Sequence, residues 1–352
     1  MDYPDIATFL IVSVVKIAIV IVVLLTAVAY TVWLERKLVG HIQNRWGPSR
    51  VGPFGLLQPL ADGLKLILKE DLTPPHVYRP IYILAPILSL TLALTSISLI
   101  PFGNFLHIGK NITTPLQISD INVGLLAILG VTSISVYGVA LSGWSSNNKY
   151  SLLGALRASA QMVSYELALG LSLIGVLILS GSLSLRDIVD KQAGRVYGFI
   201  PNWNFFTGFQ FVAFFIYLMA AYAETNRTPF DLPEAETELV AGYHTEYSSM
   251  KFAIFFMAEY ANMITVGCLA TVLFFGGWHG PVPSFTPALL KPVVPVLWFM
   301  VKVFFFLFLY IWVRGTLPRF RYDQLMAFGW KVLLPLAIAN VVVTSLVVAL
   351  RS

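Results

Sequence analysis

Three ionisable residues stand in the middle of otherwise apolar sequence: Glu166 in "SAQMVSYELALG", Glu259 in "FFMAEYANMI" and Lys302 in "WFMVKVFFF". Lys16 is a fourth, inside the first apolar run; Glu35 ends that run and Glu224 ends the fifth. Charge in an apolar medium is costly, so such residues point to function by default. Carboxylates in that setting can hold and pass protons, and a lysine among them shapes the local field. The pattern therefore predicts a proton relay. The plain alternative is an ion pair between helices, or a lysine whose stem carries its ammonium back to the surface. For Lys16 alone that alternative is the better reading; for Glu166, Glu259 and Lys302 together the relay is.

The stretch Ala223 to Tyr247, "AETNRTPFDLPEAETELVAGYHTEY", concentrates acid: Glu224, Asp231, Glu234, Glu236, Glu238 and Glu246 are a third of the chain's 18 acids. Pro229 and Pro233 rule out a continuous helix through "RTPFDLPE". Glu234 and Glu238 are four apart and share a face on any helix there, while Glu236 points away. Carboxylates this close titrate as a coupled set. Phe230, Leu232, Leu239, Val240 and Tyr243 do not suit a solvated loop, so the segment is expected to fold back on helix ends or on a partner.

Other chemistries lack their residues. The five histidines (His41, His76, His107, His244 and His279) have no HxxxH or HExxH spacing, which argues against a metal or haem site. The single cysteine, Cys268, excludes an internal disulfide and a Cys-built metal or Fe–S site. There is no GxGxxG or GxxxxGK[ST] loop for a nucleotide. No catalytic residue is assigned, and the chain carries no redox centre of its own.

The elements that must position these residues are read from composition. Of the 352 residues 57% are hydrophobic and only 12% charged, and mean hydropathy is +0.77. That much apolar surface needs lipid as solvent. The first run follows Asp2 and Asp5 and is too long for a signal-peptide core, so it is a retained helix. Apolar segments able to span about 30 Å recur at about 6–33, 80–100, 121–143, 154–181, 205–224, 250–276, 290–313 and 325–350. The expected fold is an all-α integral membrane protein of about eight transmembrane helices, forming one membrane domain over 1–352, with no internal repeat. In the first connection, "GLLQPLADGLKLILKE" puts Leu56, Leu57, Leu60, Leu64, Ile67 and Leu68 on one helical face and Gln58, Asp62, Lys65 and Lys69 on the other. This is an amphipathic interfacial helix, with Pro59 in its first turn. The odd-numbered connections hold fourteen Lys and Arg against six on the opposite side, so they face the cytoplasm or matrix, and the acidic loop between helices 5 and 6 lies with them. No basic block suggests nucleic acid.

The segments "LERKLVGHIQNRWGPSRVGPFGLLQPLADGLKLILKE", "SGWSSNNKYSLLGALRASAQMVSYE", "AETNRTPFDLPEAETELVAGYHTEYSSMKFAIFFMAEY" and "WVRGTLPRFRYDQLMAFGWK" together resemble one membrane-subunit family of the proton-pumping NADH:quinone oxidoreductases, respiratory complex I: the H-type subunits of bacteria, equivalent to mitochondrial subunit 1. The resemblance runs over about residues 30–335. One departure is Ser49, where that family usually has Asn after "GP". The resemblance implies a subunit that joins the membrane arm to the peripheral arm. Its inner loops and the peripheral subunits then form a tunnel for the substrate quinone, which is reduced by an Fe–S cluster in a partner subunit. Fe–S clusters and FMN are expected in partners, and none is bound by this chain alone. Other partners implied are small membrane subunits, antiporter-like subunits and lipids. By the same resemblance Arg36, Arg45, Asp62, Arg227 and Arg314 match tunnel-side positions. Glu35, Glu166, Glu224, Asp231, Glu234, Glu236, Glu238, Glu246 and Glu259 match the acidic chain that couples quinone reduction to proton translocation, with Lys302 its basic member.

Two alternatives stand beside this reading. One is the equivalent subunit of a membrane-bound hydrogenase or photosynthetic NDH-type complex, against which "ETNRTPFDLPEAE" and "FRYDQLM" weigh. The other is a stand-alone secondary transporter, which usually shows repeats and broken helices. The loop "VDKQAGRVYGFIPNW" and the apolar C-terminus point to a bacterial plasma membrane, with the mitochondrial inner membrane as the alternative.

Overall fold

The structure, a computed structural model, describes residues 5–108, 112–196, 200–231, 241–281 and 291–351. Helices dominate: α1 (Ile6–Ile42), α2 (Gln58–Leu68), α3 (Arg79–Ser98), α4 (Gly124–Ser145), α5 (Lys149–Ser180), α6 (Leu185–Lys191), α7 (Gln210–Glu224), α8 (Ser249–Phe274), α9 (Val293–Thr316) and α10 (Tyr322–Phe328). A π-helical turn, Gly329–Leu333, joins α10 to α11 (Leu334–Arg351). Seven helices are long and apolar enough to cross a membrane: α1, α3, α4, α5, α8, α9 and the α10–α11 unit. The apolar α7 is shorter, at 15 residues. The chain is thus an all-α, multi-pass membrane protein of roughly eight spans. Two small antiparallel hairpins, β1–β2 (Phe105–Ile108, Ile112–Pro115) and β3–β4 (Arg195–Val196, Ile200–Pro201), sit in the second and fourth connections.

α8 is the centre of the bundle. Two-thirds of its apolar window is buried, against 6% for α1, and it packs on α1, α2, α3, α5, α6, α7 and α9. A helix surrounded by protein is apolar on every side, whereas α1 turns its aliphatic surface outward, as lipid contact allows. Lipid tails give no hydrophobic push between helices, so close backbone approach by small residues matters. A Cβ on Gly143 would come within 2.2 Å of the Ala155 Cβ and 2.6 Å of the Ser151 carbonyl oxygen, so only glycine lets α4 and α5 meet there. Cys268 is a buried thiol on α8.

The first apolar run extends beyond the expected boundary near residue 33. α1 continues to Ile42, and Glu35 lies inside the helix rather than at its end. "LERKLVGHI" is rich in straight-chain helix formers, so the helix outlasts the apolar run. α5 likewise begins early, at Lys149, because the Asn148 side chain caps it by accepting from the Tyr150 N–H. The amphipathic α2 forms with Pro59 in its first turn and buries no residue.

Two of the intramembrane cations hold structure. Lys16 Nζ donates to Thr114 Oγ1 (2.9 Å) and to the Gln117 carbonyl (3.1 Å), tying α1 to β2 and the residues just after it. Lys302 Nζ donates to the carbonyls of Phe275 (2.7 Å), Gly277 (2.9 Å) and His279 (2.7 Å). Three N–H groups meet three carbonyls at the C-terminal end of α8, where helix carbonyls lack internal partners. Trp203 adds its ring face at 4.9 Å. His279, just beyond α8, titrates below its ordinary value because burial disfavours its charge, with nearby Asp190 opposing the shift.

Two outcomes test these assignments. Gly143→Ala should destabilise the α4–α5 contact by about 1–3 kcal/mol, read as a lowered thermal midpoint in detergent; an unchanged midpoint would show that the helices separate freely. Lys302→Met should cost about 1–3 kcal/mol through carbonyls left without a donor, by the same measurement, and full stability would remove the capping role.

Candidate functional site

Four elements bring their charges to one place near the odd-connection end of the bundle. α1 supplies Glu35, the turn after α7 supplies Arg227, α8 supplies Glu259 with Tyr260, and α9 supplies Arg314. Arg227 is 6% exposed. Its Nη2 lies 3.3 Å from Glu259 Oε2 and its Nη1 lies 4.0 Å from Glu35 Oε2. The second oxygen of Glu35 takes the Arg314 guanidinium, and Tyr260 Oη donates to Glu35 Oε2 at 2.8 Å. The Arg227 guanidinium also covers the Tyr260 ring, 4.2 Å from its centre. Two carboxylates and two guanidiniums therefore interlock with the ring between them. The planar guanidinium fork suits this, since it can serve two acceptors and cannot be deprotonated.

The turn that aims Arg227 is built locally. α7 ends at Glu224, Asn226 takes a left-handed conformation (φ 49°), and the Arg227 N–H returns to the Tyr222 carbonyl at 3.2 Å. Asn tolerates that conformation better than most residues. The far side of the turn meets the segment after α9. Phe320 N–H donates to the Pro229 carbonyl at 3.0 Å, the Phe230 and Phe320 rings stack at 5.5 Å, and Arg319 pairs with Asp231 at 3.1 Å. Phe230 and Tyr243 are buried, as their place in an acidic loop suggested; Leu232, Leu239 and Val240 lie outside the described residues.

Deeper in the bundle, two small cavities share a wall. One, about 30 Å³, reaches Glu259 and Glu224 and is bordered by Ser89, Ser135, Asn226 and Asn262. The other, about 20 Å³, also reaches Glu224 and is bordered by Thr132, Ser135, Asn262 and Thr265. Each has room for about one or two waters, and each offers the polar partners a water needs. Glu166 follows on the far side: Ser133 Oγ, beside Thr132, hydrogen-bonds Glu166 Oε1. Glu166 and Glu224 are electrostatic neighbours. The arrangement forms a row: Glu35, Arg227 and Glu259, then water-sized cavities at Glu224, then Ser133 and Glu166. Such a row can hold protons and pass them through hydroxyls and water, with no nucleophile or redox group. Among the described residues no group of three or more His, Cys, Asp or Glu is placed to hold a metal.

The other expected residues divide. Arg36 Nη1 meets Asp62 Oδ2 at 2.6 Å, and Gln58 supports Asp62 at 2.9 Å, so α1 and α2 are joined on the exposed side. Arg45 bonds Gln43 at 2.8 Å in the open connection beyond. Glu246 stands apart from the row, bonded by Asn148 at 2.7 Å with His76 at 3.8 Å. Close by, burial raises the Tyr247 phenol well above its ordinary range, with a hydrogen bond to Ser145 pulling the other way. Glu234, Glu236 and Glu238 lie outside the described residues. Lys302 is not brought to the acids: its three carbonyls begin at Phe275, sixteen residues or about 24 Å along the chain direction of α8 from Glu259.

Sequence reading missed Ser133, Tyr260, Asn262 and Arg319. Tyr260 follows Glu259 directly and could have been weighed with it. Arg319 follows a proline in "TLPRF", where nothing marks its partner. Ser133 and Asn262 are single polar residues in apolar helices, a signal shared by many hydroxyls that merely bond back to their own helix.

A family described as NADH dehydrogenase matches residues 15–345. A Koribacter versatilis protein, named as the second H-type subunit of NADH-quinone oxidoreductase, is 72% identical over 99% of each chain. A Solibacter usitatus protein named as the first H-type subunit of NADH-quinone oxidoreductase is 51% identical over 97% of this chain and 98% of its own. The corresponding protein of Protochlamydia amoebophila is 53% identical over 91% and 92%. A match that runs through almost every helix, including the segments that carry Glu35, Arg227 and Arg314, places this chain in the NADH dehydrogenase family, among relatives named as H-type subunits of NADH-quinone oxidoreductase.

Proposed function

We propose that the chain is the membrane subunit of a respiratory NADH:quinone oxidoreductase that borders the quinone site and couples quinone reduction to proton translocation. The carrying observation is the row itself, in which the buried Glu35–Arg227–Glu259 cluster leads through two water-sized cavities at Glu224 to Glu166. The odd connections face the cytoplasm of a bacterium, by the excess of lysine and arginine there. Arg36, Asp62 and Arg45, with Arg227 and Arg314 behind them, form the polar wall toward the quinone. Peripheral subunits complete the tunnel and hold the FMN and Fe–S clusters that supply electrons, while small and antiporter-like membrane subunits continue the proton path. The whole of 1–352 acts as one membrane domain.

The chemistry follows from charge. Two-electron reduction of a quinone creates a demand for two protons and, before they arrive, negative charge at the tunnel wall. Arg227 is shared between Glu35 and Glu259. Negative charge on the tunnel side favours positions of the guanidinium nearer that side, and a buried carboxylate that loses its cation binds a proton. Glu259 is thus the natural entry to the cavities, Glu224 the group common to both, and Glu166 the exit. Lys302 stays at the far end of α8 as a cap. Relatives named for a quinone oxidoreductase support this reading over a hydrogenase-linked one.

In the assembled complex, Glu224→Gln should lower quinone-linked NADH oxidation and proton pumping together by roughly tenfold or more, the scale of a lost proton-transfer step. Parent values for both would remove Glu224 from the path. Arg227→Met leaves Glu35 and Glu259, both largely buried, without the guanidinium they share and should destabilise by about 3–5 kcal/mol, seen as a low yield of assembled complex. A stable complex with full activity would contradict the shared-cation arrangement.

A further inference from the structure

Gln161, on α5, is wholly buried, and its amide faces three acceptors from one turn. Nε2 lies 2.8 Å from the Ala223 carbonyl, 2.8 Å from the Phe230 carbonyl and 3.3 Å from Asn226 Oδ1. Two carbonyls at that distance require the NH2 group, not the amide oxygen, to point at the turn. Its two hydrogens therefore serve two carbonyls seven residues apart. Ala223 is among the last residues of α7, where carbonyls lack partners within the helix. Phe230 follows the turn that carries Arg227. The next residue on α5, Met162, receives the Asn226 amide at its sulfur (3.7 Å) and borders both cavities.

The other end of the amide shows what the residue is for. Among the described residues Gln161 Oε1 is buried with no hydrogen-bond partner. A side chain present only to fill space would carry no polar end, since leaving a buried acceptor unpaired is unfavourable. What Gln161 gains in this position is the double donor.

We propose that Gln161 is a positioning residue that clamps the start and finish of the Ala223–Phe230 turn to α5, and so sets where Glu224 opens into the cavities and where Arg227 meets Glu35 and Glu259. This rests on the reading of those four residues as a coupling path. α5 also carries Glu166, five residues on, so one helix holds the exit of the row and the clamp on its entrance. Movement of α5 against the turn would alter both together.

The test compares Gln161→Glu, which keeps the shape but exchanges the NH2 for oxygen, with Gln161→Met, which keeps the bulk and has no donor. Both are measured in the assembled complex in membrane vesicles, per mole of complex, as quinone-linked NADH oxidation and as protons translocated per electron. Turnover should fall by about twofold to thirtyfold, the range by which positions within a coupled network act, and protons per electron should fall as well. A packing defect that only loses complex would leave both quantities, so normalised, at the parent level. If Gln161→Met does not assemble, Gln161→Glu decides alone. Parent turnover and parent protons per electron in the assembled variants would overturn the clamp. Should Glu224→Gln prove fully active while the Gln161 variants lose coupling, the relay step at Glu224 fails and the clamp stands through Arg227, Glu35 and Glu259. Should Glu224→Gln be inactive while the Gln161 variants are normal, the clamp fails and the relay stands.

Discussion

The structure depends on one buried cation with two owners. Arg227 cannot shed its charge, so its burial is tolerable only with carboxylates at hand. Glu35 and Glu259 meet that need from different helices, and the requirement reaches outward from there. α1 must run beyond its apolar stretch to bring Glu35 to the site. α9 must present Arg314, because Glu35 bonded to one distant guanidinium alone would be poorly balanced. The turn after α7 must close tightly enough to send Arg227 back under the end of its own helix. Arg319–Asp231 and the Phe230–Phe320 stack hold that turn from the segment after α9, and Gln161 holds it from α5.

Charge is balanced at one end of the row and unbalanced at the other. Among the described residues Glu35 and Glu259 face Arg227 and Arg314, two against two. Glu224 and Glu166 are neighbours with hydroxyls, amides and cavities around them, and no ion pair to either is found among the described residues. On the proposed reading the cluster near the odd connections senses charge, because its cation is shared, and the deeper pair takes up and passes on protons.

Much of this was legible in the sequence, for physical reasons that differ by residue. The spans were legible because lipid demands long apolar runs, and α2 because two faces alternate at helical spacing with Pro59 where a helix tolerates it. The acids were legible because a charge in an apolar run has no ordinary explanation. The end of α1 was not, since helix propensity continues after hydrophobicity stops. Lys302 was not, since an ammonium beside acids and an ammonium capping a helix look the same in one dimension. Its three carbonyls lie on residues 23 to 27 positions earlier in the chain. Arg319 and Gln161 were hidden by the same difficulty: their partners are chosen by how the turn after α7 folds, and no spacing records that.

The cavities explain why the path runs through small polar residues rather than more charge. A row of carboxylates alone would repel itself and cost solvation at each step. Ser135 and Asn262 border both cavities, and a hydroxyl or amide can turn to face either side without changing its charge. Room for only one or two waters keeps larger ions out while leaving a hydrogen-bonded connection. Glu224 borders both cavities, and on the proposed reading proton passage depends on which of them it faces. Gln161 holds the Ala223 carbonyl immediately before the acid, so that reading makes a backbone position, fixed by a neutral side chain, the controlling element of the row.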